Sequence, residues 1–149
     1  MATTALFRSP IRIRFGDTDP AGIVFYPRYF EFFQVAVEDW FNHWLGIDYA
    51  DHILRSGNGL PAVASDCRFL HPSRLGELLE IEVRITHLGR SSLHLAFTGY
   101  VSGELRVQGH TVLVNTDLAT DRSYPFTGAL RQRLEAYREL SRAAADDHA

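Results

Sequence analysis

Hydrophobic and polar positions change period several times along the chain, and each change marks an element. From Ser9 to Gly16 apolar Ile11, Ile13 and Phe15 alternate with Arg12 and Arg14, the period of two of a half-buried strand. Pro20 and Gly22 interrupt it. From about Tyr26 to Leu45 the apolar residues crowd nearly every position, while Arg28, Glu31, Gln34, Glu38 and Asn42 recur every three or four residues. That spacing predicts a helix with one narrow polar stripe, begun near Pro27 and stopped at Gly46. Residues 47–58 read as a short irregular or helical connection closed by Gly57-Asn58-Gly59.

Four strand-like runs follow: Pro61 to His71, Glu77 to Leu88, Ser91 to Val101 and Leu105 to Leu118. The breaks at Pro72–Gly76, Gly89-Arg90 and Ser102-Gly103 suit short antiparallel connections. Thr127 to Leu140 predicts a last helix, and Ser141 to Ala149 a frayed tail. One strand, one long apolar helix and four antiparallel strands make an α+β plan. A five-stranded sheet buries so apolar a helix only by curling around it. It leaves an edge strand and part of the helix uncovered, so a homodimer that continues the sheet is expected.

Composition narrows the class. The 149 residues, 46% hydrophobic and 22% charged, fit one globular domain. A net charge of −3 gives no footprint for nucleic acid, and no run is long enough to span a membrane. The N-terminus lacks the apolar core of a secretory signal, and with Cys67 the single cysteine no disulfide framework forms, so a cytoplasmic setting is expected. Every basic residue but histidine is Arg, which excludes Schiff-base lysine chemistry. The seven histidines show no ligand spacing, so no metal is expected and they read as structural or solvent-facing.

The candidate chemistry lies between Phe15 and Pro27. Two carboxylates two residues apart, Asp17 and Asp19, precede Pro20, Gly22 and the start of the long helix, whose positive end favours an ionised group. On spacing alone both can equally be turn or cap residues.

Gly16-Asp17-Thr18-Asp19-Pro20-Ala21-Gly22-Ile23-Val24-Phe25-Tyr26-Pro27-Arg28-Tyr29 carries the pattern Asp-x-Asp-x-x-Gly-x-Val-x-x-x-x-Tyr. With Pro61-x-Val63, Phe69-x-x-Pro72 and Gly89-Arg90-Ser91-Ser92, it closely resembles the hotdog-fold acyl-CoA thioesterases of the 4-hydroxybenzoyl-CoA thioesterase family over roughly residues 10 to 120. The resemblance implies the hotdog fold and metal-free hydrolysis of an acyl-CoA thioester, without a cofactor, in a site between two subunits. It implies that Asp19 is the catalytic carboxylate, as nucleophile or general base, and that the Tyr26 backbone N–H polarises the carbonyl. Asp17 and Gly22 then belong to the structural motif. Arg90, Ser91 and Ser92 would hold a nucleotide phosphate, for which Arg is the natural partner.

Gln34 falls where the 4-hydroxybenzoyl-specific enzyme faces its substrate hydroxyl with an Asp. The departure points to another aryl-CoA or to a medium-chain acyl-CoA. A thioesterase acting on acyl-carrier protein and a non-catalytic acyl-CoA-binding module remain open. Pairing of dimers into a homotetramer is a further expectation.

Overall fold

The computed structural model describes residues 5–146. Residues 1–4, the start of the segment read as lacking a secretory signal, and 147–149, the end of the expected tail, lie outside them. Strand β1 (Arg8–Arg12) is followed by a single 3₁₀ turn at Phe15–Asp17 and by helix α1 (Arg28–Trp40). A π-helical turn, Phe41–Leu45, prolongs α1 to Gly46, whose left-handed backbone (φ 69°) ends it. The long helix thus begins directly after Pro27, as its pattern predicts, with that proline as its N-cap.

Strands β3 (Ala62–Phe69), β4 (Leu78–Leu88), β5 (Ser92–Val101) and β6 (Glu104–Val114) join β1 in an antiparallel sheet of order β1-β4-β5-β6-β3. Alternate residues of its inner face, Leu79, Ile81, Val83, Leu93, Leu95 and Phe97 among them, are buried. Against them lie Phe32, Phe33, Ala36, Val37 and Trp40 of α1. Phe33 stacks on Phe97 with ring centroids 4.6 Å apart. Gly109 makes room for it: a Cβ there would collide with the Phe33 ring and sit 2.8 Å from the Asp66 carbonyl oxygen.

The expected alternation of Ile11, Ile13 and Phe15 holds for Ile13, which is buried, and fails at Phe15. The strand has ended at Arg12, and Phe15 turns outward in the 3₁₀ turn, 83% exposed. The connection after Gly46 contains helix α2 (Tyr49–Arg55), capped by the Asp48 carboxylate, which accepts from the Asp51 N–H. Two-residue strands β2 (Asn58–Gly59), β7 (Thr116–Asp117) and β8 (Arg122–Ser123) form a second, small sheet that no periodicity announces.

The expected frayed tail is a correction. Helix α3 runs from Gly128 to Asp146, and its last turns are held by tertiary contacts. Ser141 and Ala144 are buried, and the Ser141 hydroxyl accepts the Ile85 N–H at 3.1 Å. Four residues earlier the Tyr137 hydroxyl accepts from the Phe7 N–H at 2.9 Å and donates to the Val83 carbonyl at 2.5 Å. Burial holds that phenol well above its ordinary pKa of 10.0, so it stays neutral and able to donate.

The two sheet edges differ. β1 is covered in part, whereas β3 is exposed at seven of its eight positions, including Val63 and Phe69. Among the described residues no helix is long and apolar enough to cross a membrane.

Candidate active site

The loop from Phe15 to Pro27 is built by its two carboxylates. Asp17 closes the 3₁₀ turn, its Oδ2 accepting the Arg14 N–H at 2.9 Å, and its carbonyl accepts the Phe25 N–H at 2.9 Å, so it ties both ends of the loop. Asp19 stands inside it. The Asp19 N–H donates to the Ile23 carbonyl, its own carbonyl accepts the Gly22 N–H, and its Oδ1 accepts the Ala21 N–H, each at 2.9 Å. Gly22 completes the turn with φ +78°, where a side chain would be strained although nothing lies within 4 Å of a Cβ. The second carboxylate oxygen of Asp19 is bonded to none of the described residues, and the side chain is half-buried.

Beside this loop a cleft of about 350 Å³ opens, lined by Ile23, Tyr26, Tyr29, Phe69, Leu70 and His71. The Asp19 backbone is bonded to Ile23, which lines the cleft, so the loop that carries the carboxylate borders the cleft, although Asp19 itself is not among the lining residues. The Tyr26 N–H, just ahead of α1, donates to no acceptor among the described residues, while its carbonyl already accepts the Tyr29 N–H at 3.2 Å. An unpaired N–H at a helix entrance is a donor for a carbonyl oxygen. The Tyr26 ring is exposed and meets Phe69 edge-on at 6.1 Å.

The cleft's floor is fixed by residues the sequence did not single out. The Leu70 and His71 N–H groups donate to the Arg106 carbonyl. The Arg106 side chain reaches the Pro72 carbonyl at 3.0 Å and binds Glu77 in two-pronged fashion, at 2.9 and 3.1 Å. That guanidinium holds the Glu77 carboxyl below its ordinary pKa of 4.5. Ser73 is buried and accepts the Val24 N–H at its carbonyl, and the pKa of the neighbouring Tyr29 phenol is raised chiefly by burial. His71, read from sequence as structural or solvent-facing, is exposed and lines the cleft. Its place directly before Pro72, in the Phe69-x-x-Pro72 match, was the available signal.

Arg90, Ser91 and Ser92 form a fastened turn. The Gly89 N–H donates to the Ser92 carbonyl, while the carbonyls of Arg90 and Ser91 accept from Phe126 and Asn115. The Arg90 side chain is exposed and bonded to none of the described residues. This turn lies beyond Leu88, whereas Asp19 lies beyond the Leu78 end of β4, where Arg12 pairs with Leu78. With 11 residues in β4, the two ends are about 33 Å apart. One chain does not bring Asp19 and Arg90 together.

Gln34 sits two turns beyond Tyr26 on α1, at a separate recess between that helix and the sheet, and its Nε2 is directed at Glu38 and the Tyr49 hydroxyl. Among the described residues no group of three His, Cys, Asp or Glu side chains is arranged to hold a metal ion.

A model of the thioesterase-like superfamily matches residues 13–134. The chain belongs to that superfamily. This family member is 33% identical over 95 residues to a 1,4-dihydroxy-2-naphthoyl-CoA hydrolase of Thermosynechococcus vestitus, the match covering 64% of each chain. It is 30% identical over 95 residues to the acyl-CoA thioester hydrolase YbgC of Escherichia coli O6:H1, over 60% of this chain and 66% of that one. The chain therefore spans just under two thirds of the length of these relatives. Among solved structures, a gentisyl-coenzyme A thioesterase superposes with a TM-score of 0.77 at 27% identity, over 85% of this chain and 98% of that one. The fold is the hotdog fold expected from the sequence, the sheet wrapped on its long helix.

Proposed function

We propose that this protein hydrolyses an acyl-CoA thioester to the free acid and CoA. The observation that carries the reading is that the one loop bordering this cleft bears both a carboxylate oxygen, on Asp19, and a backbone N–H, on Tyr26, that no described residue engages. Relatives named as CoA-thioester hydrolases support it. The Tyr26 N–H donates to the thioester oxygen and stabilises the charge that develops there. Asp19 either attacks the carbonyl carbon, giving a mixed anhydride that water then opens, or removes a proton from the attacking water. In both routes the bond from carbonyl carbon to sulfur breaks and CoA leaves as thiol. Gly22 and Asp17 hold the loop in shape. The substrate is an aromatic or medium-chain acyl-CoA.

Since β4 separates Asp19 from Arg90, the phosphates are held by the Arg90-Ser91-Ser92 turn of a second subunit, in a homodimer that joins the exposed β3 edges. The test is an initial-rate comparison of one acyl group carried on CoA and on acyl-carrier protein, with sedimentation on the same sample. Higher kcat/KM on CoA, a rise in KM for CoA esters in Arg90→Ala and a mass of at least two 16.9 kDa chains are expected. Faster turnover of the carrier-bound ester, or a monomer with full activity, contradicts the reading.

A further inference from the structure

The loop that carries Asp19 is laid against a template. Gly22, Ile23 and Val24 run along Ser73, Arg74 and Leu75: the Leu75 N–H donates to the Gly22 carbonyl at 3.2 Å, the Val24 N–H donates to the Ser73 carbonyl at 2.9 Å, and Ile23 and Arg74 form an antiparallel bridge between them. Ile23, at the centre, gives its carbonyl to the Asp19 N–H. Tyr26 is tied instead to the start of α1, its carbonyl accepting the Tyr29 N–H. Residues 73–75 therefore set where the Asp19 carboxylate stands relative to the Tyr26 N–H.

That template lies between β3 and β4 and belongs to neither. Its hold is the Glu77 carboxylate. Arg74-Leu75-Gly76-Glu77 is a turn with Gly76 at φ +89°, closed by the Glu77 N–H donating to the Arg74 carbonyl at 3.1 Å. Glu77 Oε1 closes the same turn a second time by accepting the Arg74 N–H at 2.5 Å, and it also accepts Arg106 Nη1 at 2.9 Å, while Oε2 accepts Arg106 Nη2 at 3.1 Å. Arg106 stands on β6 and donates to the Pro72 carbonyl as well. One carboxylate thus ties the backbone of the template to a strand of the main sheet, and its two oxygens answer three donors.

We propose that Glu77 is a positioning residue for thioester hydrolysis, which fixes residues 73–75 on Arg106 and through them holds the Asp19 carboxylate at its working distance from the Tyr26 N–H. The inference rests on the thioesterase reading and adds a residue that acts only through Asp19. A misplacement of about 1 Å at a catalytic group costs about a hundredfold in rate, so a loosened template lowers kcat. On the same reading the phosphates of CoA are held at the Arg90 turn, so KM is spared.

Thiol release from benzoyl-CoA and octanoyl-CoA by the full chain, in wild type, Glu77→Gln, Asp19→Asn and the double variant, tests it. A Gln amide presents one oxygen and one donor group to three donors, so a bond is lost whichever way it is turned. On the faster ester Glu77→Gln should lower kcat by about tenfold to a hundredfold, with KM within about twofold of wild type. In the Asp19→Asn background it should change the residual rate by less than about threefold, because a carboxylate already removed is not there to be misplaced. A role in folding alone would lower both backgrounds by the same factor. Glu104→Gln, which removes the other carboxylate bound to Arg106, at 2.7 Å, and leaves Glu77 in place, should keep kcat within about twofold of wild type. If Glu77→Gln does not fold, Glu77→Asp, which keeps the charge and shortens the reach, is read in the same two backgrounds with the same expectation. An equal fall in both backgrounds, a kcat within about threefold of wild type or an effect confined to KM overturns the positioning role and leaves the thioesterase reading intact. Failure of the wild type to cleave either ester overturns both.

Discussion

Asp19→Asn is expected to lower kcat for thioester hydrolysis by about a thousandfold, the usual worth of a positioned general base, with little change in melting temperature. The local geometry explains why the two effects separate. The structural work of Asp19 is done by its backbone, through Ile23 and Gly22, and by Oδ1, which accepts from Ala21. An Asn side chain retains an Oδ1 acceptor and so preserves the turn. What it loses is the second carboxylate oxygen and the charge. Asp17→Asn offers the contrast: its Oδ2 closes the 3₁₀ turn on Arg14 and lies in the loop's frame, so kcat should stay within a few-fold of wild type. Steady-state thiol release with a thermal melt on each variant reads both quantities. Comparable loss in the two variants would mean that loop integrity, and not a reacting carboxylate, had been measured.

Arg106→Met should produce the second large effect, this time on stability. The guanidinium is 12% exposed and serves Glu77 at two points, Glu104 at 2.7 Å and the Pro72 carbonyl at 3.0 Å. Met replaces its aliphatic stem and none of its donors, leaving Glu77 facing the cleft floor without its partner. A loss of about 2–3 kcal/mol is expected from the charge-assisted hydrogen bonds, which at this chain length is a fall in melting temperature of roughly 5–10 °C. The effect depends on pH in a defined direction. The Glu77 pKa is depressed in the folded protein, so its stabilising contribution is fully present above the ordinary value of 4.5 and is lost as pH falls through the lower folded value. The gap in melting temperature between wild type and variant should therefore be constant near neutrality and shrink in acid. A gap that widened below pH 4.5 would contradict the assignment.

Much of the frame was legible from residue patterns because single elements determine it. The polar stripe Arg28, Glu31, Gln34 and Glu38 marks α1, and the alternation in Leu93, Leu95 and Phe97 marks an inner sheet face. The C-terminal helix was misjudged beyond Leu140 because Ala143-Ala144-Ala145-Asp146-Asp147 carries too few large apolar residues to show a buried face. Its order comes from a distant need: past the pairing of Val83 with Phe7, the Ile85 N–H finds its acceptor in the Ser141 hydroxyl. Two-residue strands are too short to display any period, so the small sheet was invisible. At the site, the Asp19 loop could be read from its motif. Sequence order does not show that β4 carries the Asp19 and Arg90 loops of one chain to opposite ends. The support of the cleft floor on Arg106 depends on a contact across 34 residues.

The central claim, that this site breaks thioesters and does not merely hold them, is tested most directly by counting free CoA thiol released from excess acyl-CoA per subunit of wild-type protein. The account predicts release that continues linearly through many equivalents. Tight, stoichiometric binding of the ester with release of no more than one equivalent would contradict it.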